Sequence, residues 1–130
     1  MKTILTVLFT GTLLLCATWA KAQNWTKLDP AMTKVLVDTP FLRAYEVTMA
    51  PGEKSKSHTH PAEFFYALTD GKINVHFADG KVEVYELKAG ECGYSNGEGV
   101  HWVENAGPAT VRWLEVELKE HPLKMAKAKK

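Results

Sequence analysis

Three histidines give this sequence its clearest chemical signal. His58 and His60 are separated by one residue, and His101 follows further along the chain. Side chains alternate between the two faces of a strand, so the first two would project from the same face of an extended segment. Gly52 before the pair and Pro61 after it are turn signals that bound such a segment. A third imidazole from a neighbouring strand would complete one side of a metal site.

The chemistry of imidazole predicts a transition metal at these residues. Neutral imidazole is the commonest metal ligand in proteins, and three of them leave coordination positions open for water or substrate. Three imidazoles suit Fe, Ni, Cu or Zn, so the sequence predicts one divalent transition metal without selecting among these four. The alternative is a metal-free site whose histidines hydrogen-bond one another, water or a ligand.

The first segment of the chain is typical of a cleaved signal peptide. Lys2 precedes a mostly apolar run that ends near Trp19, and Ala20-Lys21-Ala22 has the small-x-small form of a processing site. The apolar run is shorter than the roughly 20 residues of a membrane-spanning helix. We therefore expect residues 1–22 to be removed, which would make the protein periplasmic or secreted, with no membrane span after cleavage.

The segment 34–118 is predicted to consist of short strands. Asp70-Gly71 and Asp79-Gly80 are hairpin signals, and further glycine-rich turns follow. Strands about ten residues apart, with no amphipathic helix between them, indicate an antiparallel sandwich or barrel. Residues 23–33 would form an N-terminal lead, as a loop or a single helical turn, and residues 119–130 a basic C-terminal tail.

The composition narrows the classes of partner. The formal net charge of the 130-residue chain is only +1, which gives no electrostatic case for nucleic-acid binding. Beyond residue 22 the sequence contains one cysteine, Cys92, so that part of the chain cannot form an internal disulfide. We expect Cys92 to be a small buried residue.

These residues resemble the two sequence motifs of the cupin superfamily, G-x5-H-x-H-x3,4-E-x6-G and G-x5-P-x-G-x2-H-x3-N. The matching positions are Gly52, His58, His60, Gly71, Gly90, His101 and Asn105. The resemblance covers roughly Leu42 to Leu118 and implies an all-β fold, the antiparallel double-stranded β-helix or jelly-roll barrel. It also implies that the three histidines bind a metal and that Asn105 ends the His101 strand beside the cavity.

The first motif departs from the family pattern at its glutamate. Phe64 occupies that position, and Glu63 lies one residue earlier. An offset of one residue turns a strand side chain to the opposite face, so we expect Phe64 and Tyr66 to line the cavity. Glu63 would be a metal ligand only if Pro61-Ala62 formed a bulge that turned it inward.

The second motif departs from the pattern twice. Asn96 stands where proline is usual, and Glu98 stands where glycine is usual. No residue nearby is a convincing general base, and Tyr94 is the best available catalytic candidate, as a proton shuttle or a hydrogen-bond donor. Glu104 alternates away from His101 and is expected on the outside of the barrel.

The resemblance implies an exported small cupin that binds a metal and a small organic ligand at the barrel mouth. An anionic ligand is favoured because three neutral imidazoles leave the charge of the metal uncompensated. Three-histidine iron sites without the glutamate occur in cupin-type thiol dioxygenases, so a metal-dependent, dioxygenase-like oxidoreductase is the implied enzyme class. The alternatives are a non-catalytic ligand- or metal-binding module and a structural dimer with a vestigial site.

An oligomer is also expected from the apolar pattern. Residues 63–69 carry apolar side chains on both strand faces, so the outer face of this strand would be covered by a partner chain. We therefore expect a homodimer.

Processing at the predicted site can be tested directly. Mass spectrometry of the mature protein should show a chain that begins at Gln23, with or without cyclisation of that residue. A soluble protein that retains Met1 would contradict the expected export.

Overall fold

The computed structural model describes residues 24–120, which form one short helix and nine strands. The elements are α1 (Trp25–Leu28), β1 (Thr33–Asp38), β2 (Leu42–Met49), β3 (His58–His60), β4 (Glu63–Ala67), β5 (Gly71–Phe77), β6 (Val82–Leu87), β7 (Cys92–Ser95), β8 (Glu98–Asn105) and β9 (Val111–Leu118). The predicted signal peptide and the tail beyond residue 120 lie outside the described residues. Within 24–120 no helix has the length and apolar character needed to cross a membrane.

The strands form two antiparallel sheets. The order in the first sheet is β1-β2-β9-β4-β7, and the order in the second is β3-β8-β5-β6. Consecutive strands often fall in different sheets, as β3 and β4 do, so the chain crosses repeatedly from one sheet to the other. The predicted all-β, antiparallel architecture is confirmed. This arrangement places the two sheets face to face, with the core between them.

The N-terminal lead contributes directly to the core. Asn24 caps the single turn of α1 by accepting a hydrogen bond from the backbone N–H of Thr26. This turn directs Trp25 into the interior, where it is fully buried and donates from Nε1 to Asp29 at 3.1 Å. Its ring stacks on His58 with 4.2 Å between the ring centroids. Trp25 therefore links the lead to the histidines, a role that the sequence does not predict.

The outer face of β4 is apolar and partly exposed. Phe64 and Tyr66 of β4 are 37% and 39% exposed, and both project outward. Trp113 of β9, by contrast, is buried in the core. Cys92 is exposed, so the expectation that it is buried is wrong. The predicted homodimer stays a prediction, and the outward face of β4 is where we would expect its contact.

Substitution of Gly71, at the start of β5, tests how tightly the core is packed. A Cβ added at Gly71 would lie 2.6 Å from Cγ2 of Val111, which is fully buried and β-branched. Gly71→Ala should therefore lower the free energy of unfolding by about 1–3 kcal/mol in urea denaturation. Gly99→Ala is the matched control, because an added Cβ there meets no described atom within 4 Å. Equal effects of the two substitutions would contradict this packing.

Candidate metal centre

The three histidines converge on one face of the pair formed by β3 and β8. His58 lies opposite His101 in the antiparallel register, and His60 lies opposite Glu98. The three imidazoles are almost completely buried. Their potential ligand atoms all lie within 4.8 Å of one another, so a single metal ion could contact all three. The predicted ligand group is thus brought together in the structure.

Backbone carbonyls fix the orientation of two of these rings. Nδ1 of His58 lies 2.7 Å from the carbonyl oxygen of Lys56, and Nδ1 of His101 lies 2.8 Å from that of Gly99. A carbonyl oxygen only accepts, so each Nδ1 carries the hydrogen, and each neutral ring presents the Nε2 lone pair. A hydrogen bond of this kind to the second ring nitrogen is the usual support of a metal-bound histidine.

One unsatisfied atom shows that the site fits a metal. Among the described residues, Nε2 of His58 is buried and has no hydrogen-bond partner. A buried polar atom without a partner costs about 1–3 kcal/mol of stability. A metal ion between the three rings would satisfy this lone pair. The residues present therefore fit a metal of the kind that the resemblance implies.

His60 differs from the other two because carboxylates surround its Nδ1. This nitrogen lies 3.1 Å from Oε1 of Glu117 and 3.1 Å from Oε2 of Glu63, and Glu115 is slightly further away. Tyr45 donates a hydrogen bond to Glu115 at 2.8 Å, so this carboxylate is held in place behind the ring. The side of His60 that faces away from the other histidines is therefore strongly acidic.

These environments separate the pKa values of the histidines. Burial, assisted by the neighbouring His60, lowers the pKa of His58 to about 2 and that of His101 to about 4. Burial also acts to lower the pKa of His60, but the carboxylates of Glu115 and Glu117 outweigh it and raise that pKa. His58 and His101 are therefore neutral at physiological pH and need lose no proton to bind a metal.

Glu63 lies inside the barrel, which corrects the predicted register of β4. Its side chain is buried beside His60, whereas Phe64 and Tyr66 project outward and do not line the cavity. The prediction that these two aromatic residues line the cavity is therefore wrong. The chain bends at Pro61-Ala62 and passes there from the second sheet to the first, so the alternation counted from His60 does not continue into β4.

A cavity of about 330 Å³ opens beside the histidines. Its polar side chains lie near His60 and His101, while most of its walls are apolar. The lining residues are His60, Glu63, Phe65, Ile73, Val75, Tyr85, Leu87, Gly93, Tyr94, Ser95, Glu98, His101, Val103, Trp113 and Glu115. Its size suits a small organic molecule.

The other predicted site residues take different positions. Tyr94 lines the cavity but is 60% exposed. Asn105 is buried outside the cavity lining, and its amide donates to the carbonyl oxygens of Met49 and Ala109. The prediction that Asn105 lines the cavity is therefore wrong, and these contacts instead fix the turn after β8. Glu104 lies outside, paired with His76, as expected.

Three acidic residues near the site were missed in the sequence. Glu98 lines the cavity, and Glu115 and Glu117 project inward from β9. On β9 the neighbouring residues Leu114 and Val116 are apolar but face outward. The hydrophobic pattern of this strand therefore predicts the wrong face as the inner one. His60, Glu63 and Glu115 form a second group whose ligand atoms lie within 4.8 Å of one another, so His60 belongs to two groups that could hold a cation.

Comparison with known proteins defines the family. A family model described as a cupin domain matches residues 45–117. The chain therefore belongs to the cupin family. It is 30% identical over 78 residues to oxalate decarboxylase OxdC of Bacillus subtilis, a match that covers 58% of this chain and 20% of that enzyme. The chain thus spans only about a fifth of the length of this relative.

Solved structures confirm the double-stranded β-helix fold. A cupin domain from Bordetella pertussis superposes with a TM-score of 0.62 at 20% identity, over 67% of this chain and 91% of that one. A protein with a double-stranded β-helix domain from Klebsiella pneumoniae superposes with a TM-score of 0.56 at 24% identity, over 70% and 78% of the two chains.

The buried position of Glu63 leads to a prediction about stability. Burial, together with the charges of Glu115 and Glu98, raises the pKa of Glu63 to about 12. The folded chain therefore keeps a proton that the unfolded chain loses above its ordinary pKa, so this residue lowers stability as the pH rises. Glu63→Gln removes this effect and should be more stable than the wild type in urea at pH 6, with a larger difference at pH 9.

The measurement uses metal-free protein in the presence of a chelator. Glu86→Gln, at a side chain on the surface, is the control and should leave the pH dependence unchanged. A wild type that is more stable than Glu63→Gln at pH 9 would show that Glu63 is ionised and paired with His60.

Proposed function

We propose that the protein binds one divalent transition metal through His58, His60 and His101 and acts on a small organic molecule in the adjoining cavity. The observation that carries this proposal is the buried, unpartnered Nε2 of His58, within reach of two other imidazoles among the described residues. When bound, such a metal supplies Lewis-acid or redox chemistry at its open positions. Fe, Ni, Cu and Zn remain the candidates.

The chain itself would hold and tune the ligand nitrogens. The carbonyl groups of Lys56 and Gly99 keep the Nε2 lone pairs of two histidines directed at the site. The carboxylate of Glu117 accepts a hydrogen bond from Nδ1 of His60, which makes Nε2 of this ring a stronger electron donor. These contacts hold the three rings in place before a metal arrives.

The cavity indicates the kind of molecule that would bind. Apolar walls such as Phe65, Ile73 and Leu87 would bury the body of a ligand and exclude water from it. Carboxylates of the lining would repel a ligand that carries several negative charges. We therefore propose a small, mostly apolar molecule with one anionic donor group directed at the metal. The decarboxylase relative is named for oxalate, which supports a carboxylate as the donor group, but oxalate carries two charges and has no apolar body, so the ligand proposed here is a different acid.

Oxidation by dioxygen is the proposed reaction type. Three histidine ligands leave room for both dioxygen and a substrate group, and an apolar cavity protects reactive species from water. A non-catalytic binding module is the second candidate. It is favoured by Glu115, whose carboxylate accepts hydrogen bonds from Tyr45 and Trp113 and is therefore poorly placed to move a proton.

Metal content tests the ligand assignment. Protein purified without a metal-binding tag should contain about one transition metal per chain, and His101→Ala should lose it, because one of three ligands is removed. His76→Ala is the matched control, since His76 stacks on Trp102 outside the cavity and should not affect the metal. Circular dichroism of both variants checks the fold. Equal metal content in the two variants would contradict the assignment.

The identity of the bound metal also distinguishes the two candidate functions. A redox metal, with oxygen consumption when small thiols or phenols are added, is the result expected for the oxidoreductase. Ligand binding without oxygen consumption would instead support the binding module.

A further inference from the structure

A bulge in β8 brings a carboxylate to the histidine face. On β3 the paired residues His58 and His60 are two positions apart, whereas their partners His101 and Glu98 on β8 are three positions apart. The extra residue breaks the alternation of β8, so Glu98 can share the face of His101 despite the odd spacing. Glu98 is one of the two positions at which the second motif departs from the family pattern.

The carboxylate of Glu98 lies at a ligand-like distance from a ligand nitrogen. Its Oε2 is 3.4 Å from Nε2 of His101. Neighbouring ligand atoms of one metal, each bound at about 2.0–2.2 Å, stand roughly 3.0–3.4 Å apart, and a metal with more than four positions would still have room for a substrate. Glu98 also lines the cavity, and its side chain is partly exposed, so it has room to turn towards a metal.

The hydrogen bonding of His101 makes this contact unfavourable without a cation. Nδ1 of His101 donates to the carbonyl oxygen of Gly99, so Nε2 of the neutral ring has a lone pair and no hydrogen. When Glu98 is ionised, its carboxylate oxygen and this lone pair are both acceptors, and they repel each other at 3.4 Å. A metal ion bound by both atoms would turn the repulsion into two bonds.

Glu63 is poorly placed for the same role. Its Oε2 lies 3.1 Å from Nδ1 of His60, on the side of the ring that faces Glu117 and not the other histidines. A carboxyl group there contacts the ring nitrogen of His60 that points away from His58 and His101.

We propose that Glu98 is a fourth protein ligand of the metal, in place of the glutamate that the first motif lacks. This inference rests on the proposed three-histidine site. The carboxylate ligand would then come from β8, three residues before His101, instead of from β4. It adds one negative charge to a site of neutral imidazoles, which offsets part of the charge of the metal and widens its affinity towards harder cations.

The test compares cobalt binding by two glutamate variants. Co²⁺ should bind Glu98→Gln at least about tenfold more weakly than the wild type, and its visible absorption spectrum should change because one ligand is lost. Glu104→Gln is the matched control, since Glu104 lies on the same strand but faces outward, paired with His76 and Lys54. Glu98→His, which again supplies a ligand atom, should restore most of the affinity.

The outcomes separate this inference from the proposed function. Wild-type affinity and spectrum in Glu98→Gln, with binding abolished in His101→Ala, would overturn the role of Glu98 and leave the three-histidine site standing. Cobalt binding that survives in His101→Ala would overturn both. Circular dichroism confirms that each variant is folded before titration.

Discussion

The site depends on the contacts of the His60 imidazole, which belongs both to the group of three histidines and to a group of buried acidic side chains. One side of the ring faces His58 and His101, and the other side faces the buried carboxylate of Glu117 and the carboxyl group of Glu63, which keeps its proton. Charged carboxylates are expensive to bury unless a cation or a hydrogen-bond donor compensates them. The N–H of the His60 ring meets that need for Glu117, and this carboxylate in turn fixes the orientation of the ring. The ligand group and the acidic group therefore stabilise each other.

This dependence accounts for an acidic region on the otherwise apolar inner face of the first sheet. Glu115 and Glu117 project from β9 into the interior, where Tyr45, Trp113 and Arg43 satisfy their oxygens. Leu114, Val116 and Leu118, which alternate with these glutamates, are apolar and face outward. The usual relation between apolar residues and the inside of a sheet is thus locally reversed. Functional sites are where such departures from the general pattern are expected.

That reversal also limits how much of the site could be predicted from the sequence. The fold and the meeting of the three histidines followed from turn signals, motif spacing and strand alternation within β3. Alternation fails across Pro61 because the chain changes sheets there, so the sequence predicts Phe64 in the inward position that Glu63 occupies. Glu98 could not be placed, because a bulge is a property of the paired strands and leaves no signal in one strand alone.

The most direct test of the account is to locate the metal by anomalous diffraction from crystals of protein grown with one transition metal. The account predicts a single strong peak among the three histidines, bonded to Nε2 of His58 and His101. A peak on the carboxylate side of His60, between Glu63 and Glu115, would contradict it. That result would mean that the acidic group is the metal site and that the histidine face is not.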